Sequence, residues 1–324
     1  MIRKLIIALT LILPSFFAMA EPAPTTTIAI TQFLAHASLD KVHQGIVDAL
    51  AKQGFQEGKS THILFANAQG NAALAAQIAH QFMSQHPTVM VAIATPSAQS
   101  AASAIQNTNI PLVFATISDP IQAKLVNNLS HPGGMITGTR NTPPIKDILT
   151  LIKQLQPTTK TLGIVFNPGE QNSIDILNKL KTATEPFNII IKTAPALSSA
   201  EVKSASMSLV GKADAFLLLQ DNTVASAVPA LLAVAQHNKM AVYSLYLDAV
   251  KQGALASLAP DEYAIGIQTG NMVVKILKGQ KAGNLAVEDP KTNELALNLI
   301  SAKQLGITFD KQLIKKASFT SDKP

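Results

Sequence analysis

"VAIATPSAQSAAS", residues 91 to 103, decides how the rest of the chain is read. An apolar run ends at Thr95, Pro96 and Ser97 follow at once, and the alanine-rich stretch after them has helical character. Thr95 or Ser97 suits the cap of that helix, and Pro96 costs no needed donor in its first turn. The same turn also suits an anion, because the backbone N–H groups of Ser97 and Ala98 and the nearby hydroxyls lie at the positive end of a helix dipole. Both readings stay open at this level.

Similar units flank this one. Upstream, "TIAITQF" (27–33) and "HILFANA" (62–68) read as strands, separated by the helical spacing of "LDKVHQGIVDALAKQG" (39–54) and followed by that of "NAALAAQIAHQFMSQ" (71–85). Downstream lies "PLVFATIS" (111–118). Apolar runs without alternation, joined by helices, describe a parallel sheet covered on both faces. After "GMITGTRNTPP" (134–144), a Gly- and Pro-bearing crossing, the series repeats with "TLGIVFN" (161–167), "NIIIKTA" (188–194), "AFLLLQ" (215–220) and "MAVYSLY" (240–246). Segments 172–187, 199–212 and 222–239 between them read as helices.

The expected fold class is therefore α/β, with two doubly wound parallel-sheet lobes joined by a multi-crossing hinge. A length of 324 residues accommodates two such cores. The segment 253–279 is expected to return to the first lobe and the tail 294–308 to the second. Lobe 1 is thus drawn as 27–139 plus about 258–283, and lobe 2 as 140–257 plus about 284–324. A hinge between two lobes predicts a ligand cleft.

Composition narrows the class. With 47% hydrophobic and 14% charged residues, disorder is excluded; with no Trp, 3 Tyr and 12 Phe, the core must be aliphatic. Residues 1–20 place Arg3 and Lys4 before a short apolar run broken at Pro14 and ending in Ala18-Met19-Ala20, the pattern of a cleavable export signal cut after Ala20, with 21–26 as linker. No later segment approaches the length of a membrane span. The absence of cysteine excludes disulfides, thiolate metal sites, a cysteine nucleophile and a lipidated N-terminal cysteine, and it suits the periplasm. The formal charge is +6; without Arg3 and Lys4 it is 24 basic against 20 acidic residues, or +4. Scattered basic residues without interleaved aromatics argue against nucleic acid as a partner.

Ligands of open parallel sheets collect outside the carboxyl ends of the strands. Small polar residues stand at nearly every such end, at Gln32, Asn67 with Gln69-Gly70, Thr95 with Ser97, Ser118-Asp119, Asn167, and Gln220-Asp221-Asn222. Asp221 reads either as a helix or turn cap or as a partner for an ammonium group. Asp119 reads first as the cap of the turn before Pro120. No G-x-S-x-G, H-E-x-x-H or G-x-G-x-x-G occurs, "GMITGTR" lacks the P-loop lysine, and His43, His80 and His131 have no metal-ligand spacing. Neither catalysis nor a metal or cofactor is expected.

Through "ITQFLAHASLD", "NAQGN", "VAIATPSAQSAA", "ISDP", "HPGGMITG", "NPGEQNS", "LVGKADAFLLLQDNTVASA", "VKQGALA" and "IGIQTGNMVVKILKG", in that order from about Ile28 to Thr308, the chain strongly resembles the bacterial ABC-transporter substrate-binding family related to tryptophan and tyrosine uptake proteins. The resemblance implies the type I periplasmic-binding-protein fold. It implies capture of a small ligand, often an apolar or aromatic amino acid, for delivery to an inner-membrane permease and its ATPase; capture is expected by hinge closure, and the chain is expected to be a monomer. Carried across, "TPSAQ" and "SDP" face the cleft from the first lobe, "NPGEQNS" and "QDNT" from the second. An α-carboxylate is then expected at Thr95, Ser97 and Ala98, an α-ammonium near Asp221, and further contacts from Gln32, Phe33, Gln69, Ser118, Asp119, Asn167, Asn172, Gln220, Asn222 and Tyr246. Where relatives often carry Gly-Gly-Asp or Ala-Ser-Asp, this chain has Ser244-Leu245-Tyr246 with Asp248 further on, a change expected to enlarge and grease the rim. A sensor subunit for another small molecule, or a periplasmic hydrolase on the same lobes, is the alternative.

Overall fold

The structure is a computed structural model that describes residues 26–321. The expected export signal and most of the linker lie outside the described residues.

Five parallel strands form the first sheet, in spatial order β2-β1-β3-β4-β5: β1 (Thr26–Gln32), β2 (Thr61–Asn67), β3 (Val89–Ile93), β4 (Leu112–Ile117) and β5 (Ile136–Arg140). Helices α1 (Ala37–Lys52), α2 (Ala72–Met83) and α3 (Thr95–Ala104) connect them. All five positions of β3 are buried, as a central strand covered on both faces requires.

The chain then crosses into the second lobe, which runs α4 (Ile145–Leu155), β6 (Thr161–Phe166), α5 (Gln171–Ala183), β7 (Ile190–Pro195), α6 (Val202–Leu209), β8 (Ala215–Leu218), α7 (Asn222–Ala225), α8 (Val228–His237), β9 (Ala241–Ser244), α9 (Asp248–Gln252) and β10 (Ala256–Pro260). Alternate residues of its sheet serve two cores. Leu217 joins Ile148, Ile152, Ile176 and Leu180 on one face, while Phe216 and Leu218 join Leu231, Leu232 and Val242 on the other. The stretch 222–239, read as one helix, is two. Pro229 has no N–H for the carbonyl of Ala225, and the chain restarts at Val228.

β10 pairs in parallel with β9 and so remains in the second sheet; only the helix after it, α10 (Glu262–Leu277), returns to the first lobe. There α10 packs on α1 at very close range. A Cβ on Gly266 would lie 2.3 Å from the Val42 carbonyl oxygen, so glycine is what lets the two backbones touch. Thr269 on α10 is hydrogen-bonded to Thr139 on β5 at 2.7 Å, beside the crossing. A third crossing follows the backbone pairing of Arg140 and Gly138 with Glu288. The chain ends in the second lobe with β11 (Asn293–Asn298), α11 (Leu299–Leu305), α12 (Lys311–Lys316) and β12 (Phe319–Ser321). β11 is antiparallel to β10, since it enters from the hinge where β10 leaves. The second sheet reads β12-β11-β10-β9-β8-β6-β7. Together the two lobes and their crossings make the type I periplasmic-binding-protein fold.

Candidate functional site

The carboxyl ends of the two sheets face each other across a cleft enclosing ≈ 470 Å³, open mouth included. The first lobe lines it with His36, Ser38 and Leu39 after β1, Ala94 and Thr95 after β3, and Thr116 and Ser118 at the end of β4. Asn141 comes from the first crossing and Glu262 from the second. The second lobe supplies Asn172, Gln220, Asp221, Asn222, Ala225 and Tyr246.

Two backbone positions at the cleft are strained. Ala94 has φ 75° and ψ 154°, and Thr116 has φ 61°, conformations that side chains disfavour and that cost about 1–3 kcal/mol each. Ala94 is held there by its N–H to the Ala115 carbonyl (3.2 Å) and by its own carbonyl, which accepts the Ala98 N–H (3.0 Å). Because the chain turns at Ala94, Thr95 and Pro96 are already helical, and no side chain caps α3. The capping reading of Thr95 and Ser97 is corrected on that ground. Ala98 also loses its expected part in the anion seat, its N–H being bonded to Ala94, and neither it nor Ser97 lines the cleft. The Ser97 hydroxyl is buried without a partner.

Of the other expected contacts, Thr95, Ser118, Asn172, Gln220, Asp221, Asn222 and Tyr246 line the cleft, whereas Gln32, Phe33, Gln69, Asp119 and Asn167 do not. Gln32 donates to the Leu34 carbonyl and to Asp40, fixing the loop that carries His36. Phe33 is core, and Gln69 is exposed in a turn with φ 53°. Asp119 accepts the Gln122 N–H, as a turn cap does, and pairs with Lys179 of the other lobe at 2.7 Å. The Asn167 N–H donates to Asp221. The rim is not greased either. Leu245 turns into the core, Tyr246 brings a buried hydroxyl to the cleft, and Asp248 pairs with Lys41.

Two acidic groups, Asp221 in the second-lobe wall and Glu170 behind it, are fully engaged. Asp221 accepts the Val224 N–H through one oxygen and, at 2.6 Å each, the Asn167 N–H and the Ser173 hydroxyl through the other. Glu170 accepts the N–H groups of Asn222 and Thr223, the Thr223 hydroxyl and the side-chain amides of Asn172 and Asn222. Burial, and then the neighbouring Glu170, push Asp221 up to about 7. His36 is kept neutral-leaning by burial, its pKa lowered, and reaches Asn222 Oδ1 across the cleft at 3.4 Å. Five lining groups, by contrast, carry a buried polar atom with no protein partner: Ser118 Oγ, Asn172 Oδ1, Gln220 Oε1, the Tyr246 hydroxyl and Glu262 Oε2. Such atoms, drawn from both lobes and the hinge, are ready to meet a polar ligand.

The comparisons with known proteins agree with this geometry. A sequence model of the family described as ABC transporter substrate binding protein matches residues 27–320. The chain belongs to that family. It is 33% identical over 278 residues to a tyrosine-binding protein of Clostridioides difficile, covering 86% of this chain and 80% of that one. The crystal structure of a conserved domain protein from Vibrio cholerae superposes with a TM-score of 0.89 at 40% identity, covering 92% of this substrate-binding protein and all of the other. A domain from Streptococcus pneumonia in complex with L-Trp superposes with a TM-score of 0.87 at 34% identity, over 91% and 99% of the two chains. Members of the family are solute-binding proteins rather than enzymes; they take a small-molecule ligand, work with an ABC transporter and are generally exported. Among the described residues no helix is long and apolar enough to cross a membrane.

His36, Ser38, Leu39, Ala94, Thr116, Asn141, Ala225 and Glu262 were not legible as lining residues. For His36 the one signal is its place after the "TIAITQF" strand, the position that marks the other sites.

Proposed function

We propose that this substrate-binding protein captures an amino acid with an apolar or aromatic side chain in the cleft and delivers it to an inner-membrane permease driven by an ATPase. It works as a monomer in the periplasm, exported by the leader that residues 1–20 encode. The reading is carried by the unpartnered polar atoms that converge from both lobes on one cleft, in a family whose similar members include a tyrosine-binding protein and a protein holding L-Trp. Thr95, at the start of α3, and the unpartnered Ser118 hydroxyl suit the ligand's carboxylate, because no lysine or arginine lines the cleft and neutral donors then hold the anion. Small residues at Ala94 and Ala225 leave room for a bulky side chain beside Leu39 and Tyr246. Closure strengthens each polar contact by excluding water.

A thermal-shift screen of the mature protein against all amino acids tests this. Ligand at 100 times its Kd stabilises the native state by about 2.7 kcal/mol, an easily read rise in Tm. L-tryptophan or L-tyrosine is expected to lead. A shift from a sugar or nucleoside, with none from any amino acid, overturns the proposal.

A further inference from the structure

Glu262 is the first residue of α10, where the chain re-enters the first lobe. It lines the cleft, its side chain belongs to a residue only 2% exposed, and its Oε2 has no partner. The charged and titratable groups around it come from every neighbouring element. Asp261 precedes it on its own helix, His36, Asp40 and Lys41 stand on and before α1, Asp248 on α9, Tyr246 in the loop before α9, and Asp221 across the cleft. Of these, Lys41 is the cation, and its ammonium is committed to both oxygens of Asp248, at 2.8 and 2.7 Å. Asp221 and Glu170 have spent their oxygens on internal donors. Glu262 is thus the cleft carboxyl with an oxygen to spare.

We propose that Glu262 seats the ligand's ammonium group and is ionised in the complex, so that capture releases one proton to solvent. The inference rests on the amino-acid reading above. Before binding, burial first of all, with Asp248 adding to it against the pull of Lys41 and of its own N–H, pushes Glu262 up to about 8, and the carboxyl holds its proton at neutral pH. An ammonium arriving at Oε2 supplies the missing countercharge. The O–H bond breaks, the electron pair stays on the carboxylate, the proton leaves to buffer, and the ammonium keeps all its own hydrogens. Affinity therefore rises about tenfold per pH unit below the pKa of Glu262 and levels off above it. Since the cleft is lined by acid groups and by no lysine or arginine, and burial lowers the pKa of its one imidazole, His36, an amine without a carboxylate should be retained better than an acid without an amine.

Calorimetry of the full mature protein tests this with L-tryptophan, L-tyrosine, tryptamine and indole-3-propionate at pH 7, in phosphate and in Tris. The expected result is a buffer-dependent enthalpy corresponding to nearly one proton released, fading by pH 9, with tryptamine binding more tightly than indole-3-propionate. Glu262→Gln, which mimics the protonated acid, should bind tryptophan at least about 30-fold more weakly and without buffer dependence. The wild-type measurement stands alone should that variant not fold. Tryptophan binding with a buffer-independent enthalpy overturns the inference and leaves the amino-acid reading intact; so does a proton release that survives Glu262→Gln and vanishes in Asp221→Asn. If no amino acid binds while a sugar or nucleoside does, the functional reading itself fails.

Discussion

Lys41 on α1 and Asp248 on α9 meet across the two lobes, with the ammonium 2.7 Å from one carboxylate oxygen and 2.8 Å from the other. The lysine side chain is 36% exposed and the aspartate 7%, so one partner is wet and the other is nearly dry. An exposed pair contributes about 0.2–1 kcal/mol and a buried one that loses a partner costs about 3–5 kcal/mol. Lys251, 3.5 Å from Asp248, softens the loss. Lys41→Met is therefore expected to cost roughly 1 kcal/mol of closure, or about fivefold in Kd, mainly through faster release. Asp119→Ala, which breaks the wetter Asp119–Lys179 bridge, should cost less. Stopped-flow release rates of L-tryptophan at two salt concentrations check both.

Asp221 is a keystone of the second-lobe wall through three accepted hydrogen bonds, one of which caps α7. Asp221→Ala leaves the Asn167 N–H, the Ser173 hydroxyl and the Val224 N–H without their acceptor. A loss of about 2–4 kcal/mol in unfolding free energy is expected from such buried groups. Denaturant unfolding of the ligand-free protein reads it. A variant as stable as wild type, yet unable to bind tryptophan, would return the ammonium site to Asp221.

Ligand-free stability should fall as the pH rises. Asp221 and Glu262 keep protons in the folded chain, up to about 7 and about 8, that the unfolded chain releases near ordinary carboxyl values. Between those limits the native state binds more protons than the unfolded state, so each group removes roughly 1.4 kcal/mol per pH unit as pH increases. His36, lowered by burial, acts in the opposite sense below its ordinary 6.5. The clean window is thus pH 6.5 to 8, and above 7 the slope belongs to Glu262. Tm measured across that window should decline for wild type and stay flat above pH 7 for Glu262→Gln.

Both lobes were legible because each core strand is an uninterrupted apolar run between helices, and burial on two faces leaves no other reading of "VMVAI" or "AFLLL". Thr95, Ser118 and Gln220 through Asn222 were legible for a related reason, since polar residues at strand ends have one direction to face. Glu262 was hidden beside Asp261. The latter does cap α10, accepting the Tyr263 N–H at 2.9 Å, and an acid in a first turn is ordinary dipole pairing. Only the burial of Glu262 at the crossing separates the two. Ser97 and Ala98 failed because the positive-φ, extended turn at Ala94 moved the start of α3 one residue earlier, which no residue in "ATPSAQ" announces.

Ala94 itself yields the last prediction. At φ 75° and ψ 154° its Cβ is strained by about 1–3 kcal/mol, while glycine adopts that conformation freely. Ala94→Gly removes the strain but adds freedom to the unfolded chain, a cost of about 0.4–1 kcal/mol. A net gain of about 1 kcal/mol is expected, seen as a higher Tm of the ligand-free protein. Its methyl lines the cleft without a polar role, so tryptophan affinity should change by less than about threefold, the weight of a single lost methyl contact. Ala94→Val, with a branched side chain forced into the same backbone, should destabilise by more than the glycine variant stabilises. If Ala94→Gly lowers Tm, the turn is held by packing of the methyl rather than by the hydrogen bonds to Ala115 and Ala98.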